Sequence, residues 1–219
     1  MEKKVIYLLI GVLLFAANLK AQTQESDRKT IVGAYTIKNQ TDTMKVWIDN
    51  HGKNKIAYFE YLGTCKINTL EFLAQIAIGA KKDKIAELIS TLTYIRDKAK
   101  EWNSILESRH IDTYSKEFKE ADFPRLDMYA VVNNQKHLLW NNKHYITNAS
   151  FEKNIGEENY KILLNVCGTQ VIDQTNATTL HVNNNIELNA EDLSKLILLL
   201  QDAGKLSEET IDIDSLLTD

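Results

Sequence analysis

Between Ile31 and Ile78 apolar and polar positions alternate in short runs broken by turn-forming residues. "VGAYTIKN" and "TMKVWID" are rich in β-branched and aromatic side chains and are separated by "QTD", which predicts two strands. "DNHGKN" supplies the Asn, Asp and Gly of a tight reversal, and "KIAYFEYLG" resumes the strand pattern. A further break is expected at "GTCKIN", followed by a strand in "TLEFLAQIAIG". Links this short favour antiparallel neighbours, because parallel pairs need a long crossover.

The period then changes from two to about 3.6. Ile85, Leu88, Leu92, Ile95, Ala99, Trp102 and Leu106 form one stripe, with Lys84, Glu87, Asp97, Lys98, Lys100 and Glu101 between them. This predicts a long amphipathic helix with Asp83 as its N-cap. The stripe has two uses open to it, packing on the protein's own sheet or forming a coiled-coil seam for assembly. "SRHIDTYSKEFKEADFPR" (108–125) reads as a charged connection with a helical turn after Ser115, ended by Pro124.

Beyond it, "LDMYAVVNNQKHLLWNNKHYITNASF" alternates strand-like runs with Asn-Asn pairs that tolerate the left-handed backbone of hairpin turns. "ENYKILLNVCGTQVID" and "ATTLHVNNNIEL" predict two more strands around a turn at "QTN". A final helix is expected from Asn189, with Asp192 completing a capping-box-like pair, Leu193, Leu196, Ile197 and Leu200 as its apolar face, and Gly204 as its stop. The order meander-then-helix thus occurs twice, and residues 78–92 and 186–200 share Ile78 with Ile186, Leu88 with Leu196, Ile89 with Ile197 and Leu92 with Leu200. The expected fold is α+β, built of antiparallel β-meanders each followed by a packing helix, in two similar units. The expected division is 22–109 for the first unit, 110–125 for the connection, 126–204 for the second unit and 205–219 for an acidic tail.

The first residues change the picture of where the chain works. Lys3 and Lys4 precede an apolar run from Val5 to Ala17, and Leu19-Lys20-Ala21 resembles a cleavage site. Residues 1–21 therefore read as a secretory signal peptide, and the mature protein is expected to be exported to a periplasm or the extracellular space. The run is shorter than the roughly 20 residues that span a bilayer, so no membrane span is expected. The formal net charge is −4, and loss of residues 1–21 removes three lysines and one glutamate. A mildly acidic chain without a basic stripe argues against nucleic acid as a partner.

Cys65 and Cys167 are candidates for a disulfide in an oxidising compartment. It would close a loop of about 100 residues and contribute roughly 4 to 5 kcal/mol on chain-entropy grounds. The alternative is two separate buried thiols.

Candidate chemistry is sparse. A hairpin through Asn141 and Asn142 would bring His137 toward His144, but no third metal ligand is specified, so neither a metal nor a cofactor is expected. Cys167 with a histidine base is a formal nucleophilic pair, and Glu157-Glu158, Glu191-Asp192 and Asp212 with Asp214 are carboxylate pairs that a hydrolase could use. Serine-hydrolase elbows and glycine-rich phosphate loops are missing from the sequence.

These readings favour a non-catalytic protein that binds a protein or small-molecule ligand. The rivals are a hydrolase whose site assembles only in three dimensions and an assembly subunit using the long-helix seam. The expected binding neighbourhood is Trp140, His144 and Tyr145, aromatic and polar residues beside a turn.

Overall fold

A computed structural model describes residues 29–37, 42–50, 55–141, 144–157 and 159–208. The expectations for residues 1–21 and for the tail beyond Glu208 lie outside the described residues. Along the chain the elements are β1 (Lys29–Thr36), β2 (Thr43–Asp49), β3 (Ile56–Ile67), β4 (Leu70–Lys81), α1 (Lys82–Ser108), β5 (Tyr114–Glu117), β6 (Asp127–Val132), β7 (Gln135–Leu138), β8 (Ile146–Lys153), β9 (Lys161–Asp173), β10 (Thr178–Leu188) and α2 (Ala190–Glu208). All strand pairings among them are antiparallel, so the α+β meander architecture holds.

Four local expectations are corrected. Residues 63–68 do not break the sheet: β3 runs through to Ile67 and turns only at Asn68 and Thr69, with Asn68 at φ 54°. Gly63 is a strand residue because a Cβ there would lie 2.7 Å from Ile76 Cδ1, a close approach rather than a turn. The stretch after Ser115 is strand β5, paired with β8, and not a helical turn. Asp83 lies inside the first turn of α1, where its charge suits the helix dipole, and Lys81 holds the cap position without a side-chain bond. Gly204 is interior to α2, facing Ile85 of α1 at 3.6 Å from where its Cβ would be, so it permits helix contact instead of ending the helix.

Other turn and cap chemistry is as the residues dictate. Asn133 and Asn134, at φ 49° and 64°, make the two-residue link between β6 and β7. The Asn189 amide N–H donates to Asp192 Oδ2 at 3.2 Å, while Asp192 N–H donates to Asn189 Oδ1 at 2.9 Å, a reciprocal cap at the start of α2.

Register turns this sheet into a closed wall at one end. β3 pairs with β4, β4 with β6 and β6 with β7. The chain beyond β7 then bridges to β9 through Trp140 and Thr169, β9 pairs with β10, and β10 returns to β3 at Val182 and Cys65. The inside of this circuit holds Cys65, Ile76, Met128, Ala130, Leu139, Leu180 and Val182, all buried. Gly168 also faces inward, where a Cβ would come within 3.1 Å of Leu139 Cβ.

At the other end the wall opens into two wings. β1 and β2 continue along the first half of β3, while β8 and β5 continue along the first half of β9. Where β3 and β10 part, Asn184 bridges the gap: its Nδ2 donates to the Thr64 carbonyl at 2.8 Å and its Oδ1 accepts the Thr64 backbone N–H at 3.2 Å. The side chain thereby satisfies backbone groups that the interrupted ladder leaves without strand partners.

Both helices pack on the inward face of this sheet and on each other. Ile85, Leu88, Leu92, Ile95, Ala99 and Leu106 of α1 are buried, as are Leu193, Leu196, Ile197 and Leu200 of α2. Burying each large aliphatic side chain contributes about 1.5 to 3 kcal/mol. Trp102, half-buried, stacks on Phe118 with centroids 4.8 Å apart and meets the edge of Phe151 at 5.9 Å. The α1 stripe is therefore occupied by the chain's own core. Buried residues of both sequence halves, from Ile37 to Ala203, join one cluster, and β10 with β3 makes one sheet of the two meanders.

Candidate functional site

The outward face of the closed wall carries an open groove of about 850 Å³ over β3, β10, β9 and the Trp140 segment. Strand periodicity decides its chemistry, since alternate residues of each strand face the core and the rest face the groove. On β9 the outward set includes Asn165, Cys167 and Thr169, and on β10 His181 and Asn183. The cross-strand pairs Trp140 with Thr169, Thr169 with His181 and His181 with Lys66 form one row across the groove. The next row holds Cys167 opposite Asn183, with Thr64 following on β3.

Trp140 forms the rim of the groove. Its indole is 70% exposed. Its backbone is fixed, with the Trp140 N–H donating to the Thr169 carbonyl at 2.7 Å and the Thr169 N–H to the Trp140 carbonyl at 2.9 Å. The preceding Leu139 is buried, and its N–H donates to the Met128 carbonyl at 3.0 Å. A large apolar ring thus stands in solvent on a rigid mount.

Asn141 donates from Nδ2 to the Cys167 carbonyl at 3.1 Å and to Cys167 Sγ at 3.0 Å. Asn165 donates to Asn185 Oδ1 at 2.9 Å and accepts from the Thr147 hydroxyl at 2.7 Å. The side chains of Asn68, Asn183 and His181 make no hydrogen bond to other described residues. No carboxylate among the described residues lines the groove, and Glu71 approaches Lys66 at 3.8 Å from beside it.

Of the three residues expected at the site, the structure places one in the groove. Trp140 lines it. Tyr145 lies behind the wall, where its hydroxyl donates to the Leu139 carbonyl at 2.5 Å and its burial raises its pKa. Its ring abuts the Gly168 position, so it supports the Trp140 segment from within. His144 is half-buried, with Nδ1 enclosed and without a partner among the described residues. Asn142 lies outside the described residues, but the strands beside it are not hairpin partners: β7, which carries His137, pairs with β6, whereas β8, which follows His144, pairs with β5 and β9. No cluster of three or more His, Cys, Asp or Glu side chains able to hold a metal occurs among the described residues.

The two cysteines are unbonded. Cys65 points into the core and Cys167 out to the groove, with β10 between their strands, so the proposed disulfide is not formed in this arrangement. Burial, with the Glu71 charge second, raises the Cys65 pKa. Cys167 and His181 do share the outward face, one diagonal step apart in register. The Cys167 sulfur accepts from Asn141 and makes no hydrogen bond to the imidazole, so the contact between nucleophile and base is not made. Of the carboxylate pairs, Glu191 is bridged to Lys195 at 2.8 Å, Asp192 is a helix cap, and Glu157 sits at 2.9 Å from Lys161, which lowers its pKa. Glu158, Asp212 and Asp214 lie outside the described residues.

A smaller cavity of about 160 Å³ lies in the fork between β3 and β10, beside Tyr61, whose enclosed hydroxyl has no partner among the described residues. Its size and polarity suit bound water.

Pattern reading missed the amide and hydroxyl side chains of the groove. Their signal was present: in "NVCGT" and "HVNNN" the outward positions are Asn, Cys, Thr and His, where ordinary solvated strands often carry charge. The fold and site together define an α+β protein with a closed antiparallel wall and an open polar groove on its outer face. No protein-family model, curated protein or solved structure matches the chain.

Proposed function

We propose that this is an exported, non-catalytic binding protein that takes its ligand in the outer-wall groove. The observation that carries the reading is Trp140, an indole held out to solvent by a buried neighbour and a two-bond bridge. Exposing so large an apolar ring has a hydrophobic cost that a ligand covering it would recover. The surrounding groove offers many hydrogen-bonding groups but lacks a paired acid and base, a metal cluster or an activated nucleophile among the described residues. Export rests on the charged start, apolar run and small-residue site of residues 1–21. No helix among the described residues is long and apolar enough to cross a membrane.

The reading is tested by 19F NMR of the protein labelled with 5-fluorotryptophan. The chain has three tryptophans, and the Trp140→Phe variant assigns one resonance. Mixed fragments representing sugars, peptides, nucleotides and acyl chains should include at least one class that shifts the Trp140 resonance and leaves the Trp47 resonance in place. Failure of every class to move Trp140 contradicts the site, and retention of residues 1–21 on the protein recovered from its own cells contradicts export.

A further inference from the structure

We infer that the groove recognises a neutral oligosaccharide chain. This inference rests on the binding reading above and narrows it to one ligand class. The lining combines one exposed indole with Asn68, Asn141, Asn165, Asn183, Thr64 and Thr169. A carboxamide carries donors and an acceptor on one planar group, and a hydroxyl carries both, which is the complement of adjacent sugar hydroxyls. The indole supplies what the amides lack, a flat apolar surface for the C–H face of a pyranose ring.

Charge argues for the same class. Polyanions need several cations, and among the described residues the lining holds two, Lys66 and His181, with Glu71 beside the lysine. Polycations need carboxylates, of which the lining has none among the described residues. Pockets for acyl chains or drug-like ligands are mainly apolar and enclosed, whereas this groove is open and amide-rich. Peptides that extend a sheet use an unpaired strand edge, but the groove lies on a sheet face where β9 pairs with β10, β10 pairs with β3 as far as Val182 and Cys65, and Asn184 occupies the Thr64 backbone groups beyond.

Shape favours a chain over a single sugar. From Trp140 across Thr169 and His181 to Lys66 the row crosses three strand spacings, roughly 14 Å at about 4.8 Å each. One ring stacked on Trp140 leaves the rest of that row and the Cys167–Asn183–Thr64 row for further units. The Asn183 amide, without a hydrogen bond to other described residues, is placed to contact a neighbouring unit.

The experiment titrates the fluorotryptophan-labelled protein, and in parallel by calorimetry the unlabelled one, with hexasaccharides of β-linked glucose, N-acetylglucosamine, xylose and mannose and of α-linked glucose. A neutral serine–glycine hexapeptide and inorganic phosphate serve as the other probes. The expected result is saturable binding of at least one hexasaccharide with a shift at Trp140. Trp140→Ala then weakens it about tenfold or more, and Trp140→Phe, which keeps a ring, weakens it less. Asn183→Ala weakens it by roughly three- to tenfold. A Trp140 shift with the peptide or phosphate and with no hexasaccharide overturns the sugar inference and leaves the groove as a binding site. Silence of Trp140 toward every probe overturns both. Hexasaccharide binding that is indifferent to Trp140→Ala overturns the placement of the sugar in this groove.

Discussion

Two stretches of the outward sheet face solve the same problem in opposite ways. Over β2, β3, β4 and β6, Trp47 is 1% exposed, stacks on Tyr58 at 4.6 Å and lies 6.4 Å from Tyr129, while Tyr58 meets the edge of Tyr129 at 5.4 Å. Lys29 and Lys136 close over this cluster, with Nζ at 4.7 Å from the Trp47 ring and 4.0 Å from the Tyr129 ring. Over β3, β10 and β9 amides and hydroxyls share the outward positions with Cys167, His181 and Lys66, and Trp140 is left 70% exposed. The first stretch spends its aromatics on stability, as a small second core on the side away from the helices. On the second stretch the aromatic makes no comparable contact, which is the physical basis for reading it as a site. A tryptophan's role follows from what its register brings beside it, and residue type alone does not decide it.

The largest effect expected is from Trp47→Ala, which removes a buried ring and leaves Tyr58 without its stacking partner. It should cost about 3 to 5 kcal/mol. For a chain of this size that lowers Tm by roughly 6 to 20 °C, measured by calorimetry. A loss of only a degree or two would erase the contrast between the two faces.

Asn184→Ala comes next. It removes the amide that serves both Thr64 backbone groups at the fork, leaving a donor and an acceptor without strand partners. The expected cost is about 1 to 3 kcal/mol, with faster hydrogen exchange at the Thr64 amide than in the wild type. Unchanged exchange there would mean that water serves the fork as well as Asn184 does, and that the groove wall needs no side-chain tie.

What was legible in the sequence was whatever is encoded by neighbours along the chain. The α1 stripe was readable because helical packing repeats every three or four residues, and the Asn133–Asn134 and Asn189–Asp192 signals because turns and caps are local. β5 was hidden because Ser115, Lys116 and Glu117 are all exposed, leaving Tyr114 as its one half-buried position. β3 was cut at Gly63 because nothing in the sequence shows Ile76 pressing against that position. Among the described residues the wall closes through the bridge between Trp140 and Thr169, which leaves no periodic trace. The groove was invisible for a related reason, since its rows combine residues from β3, β9, β10 and the Trp140 segment that meet only through register. Trp140 was selected for its aromatic character beside Asn141, and the same reasoning also selected Tyr145, whose hydroxyl is bonded behind the wall.

The most direct test of the contrast is the thermal stability of Trp140→Ala measured beside Trp47→Ala and the wild type. If Trp140 serves no packing role, its replacement shifts stability by no more than about 0.5 kcal/mol, as surface substitutions do, and Tm stays within about 2 °C of wild type. A fall comparable to that of Trp47→Ala would make Trp140 part of the structural framework and contradict its assignment as the ligand-facing rim of the groove.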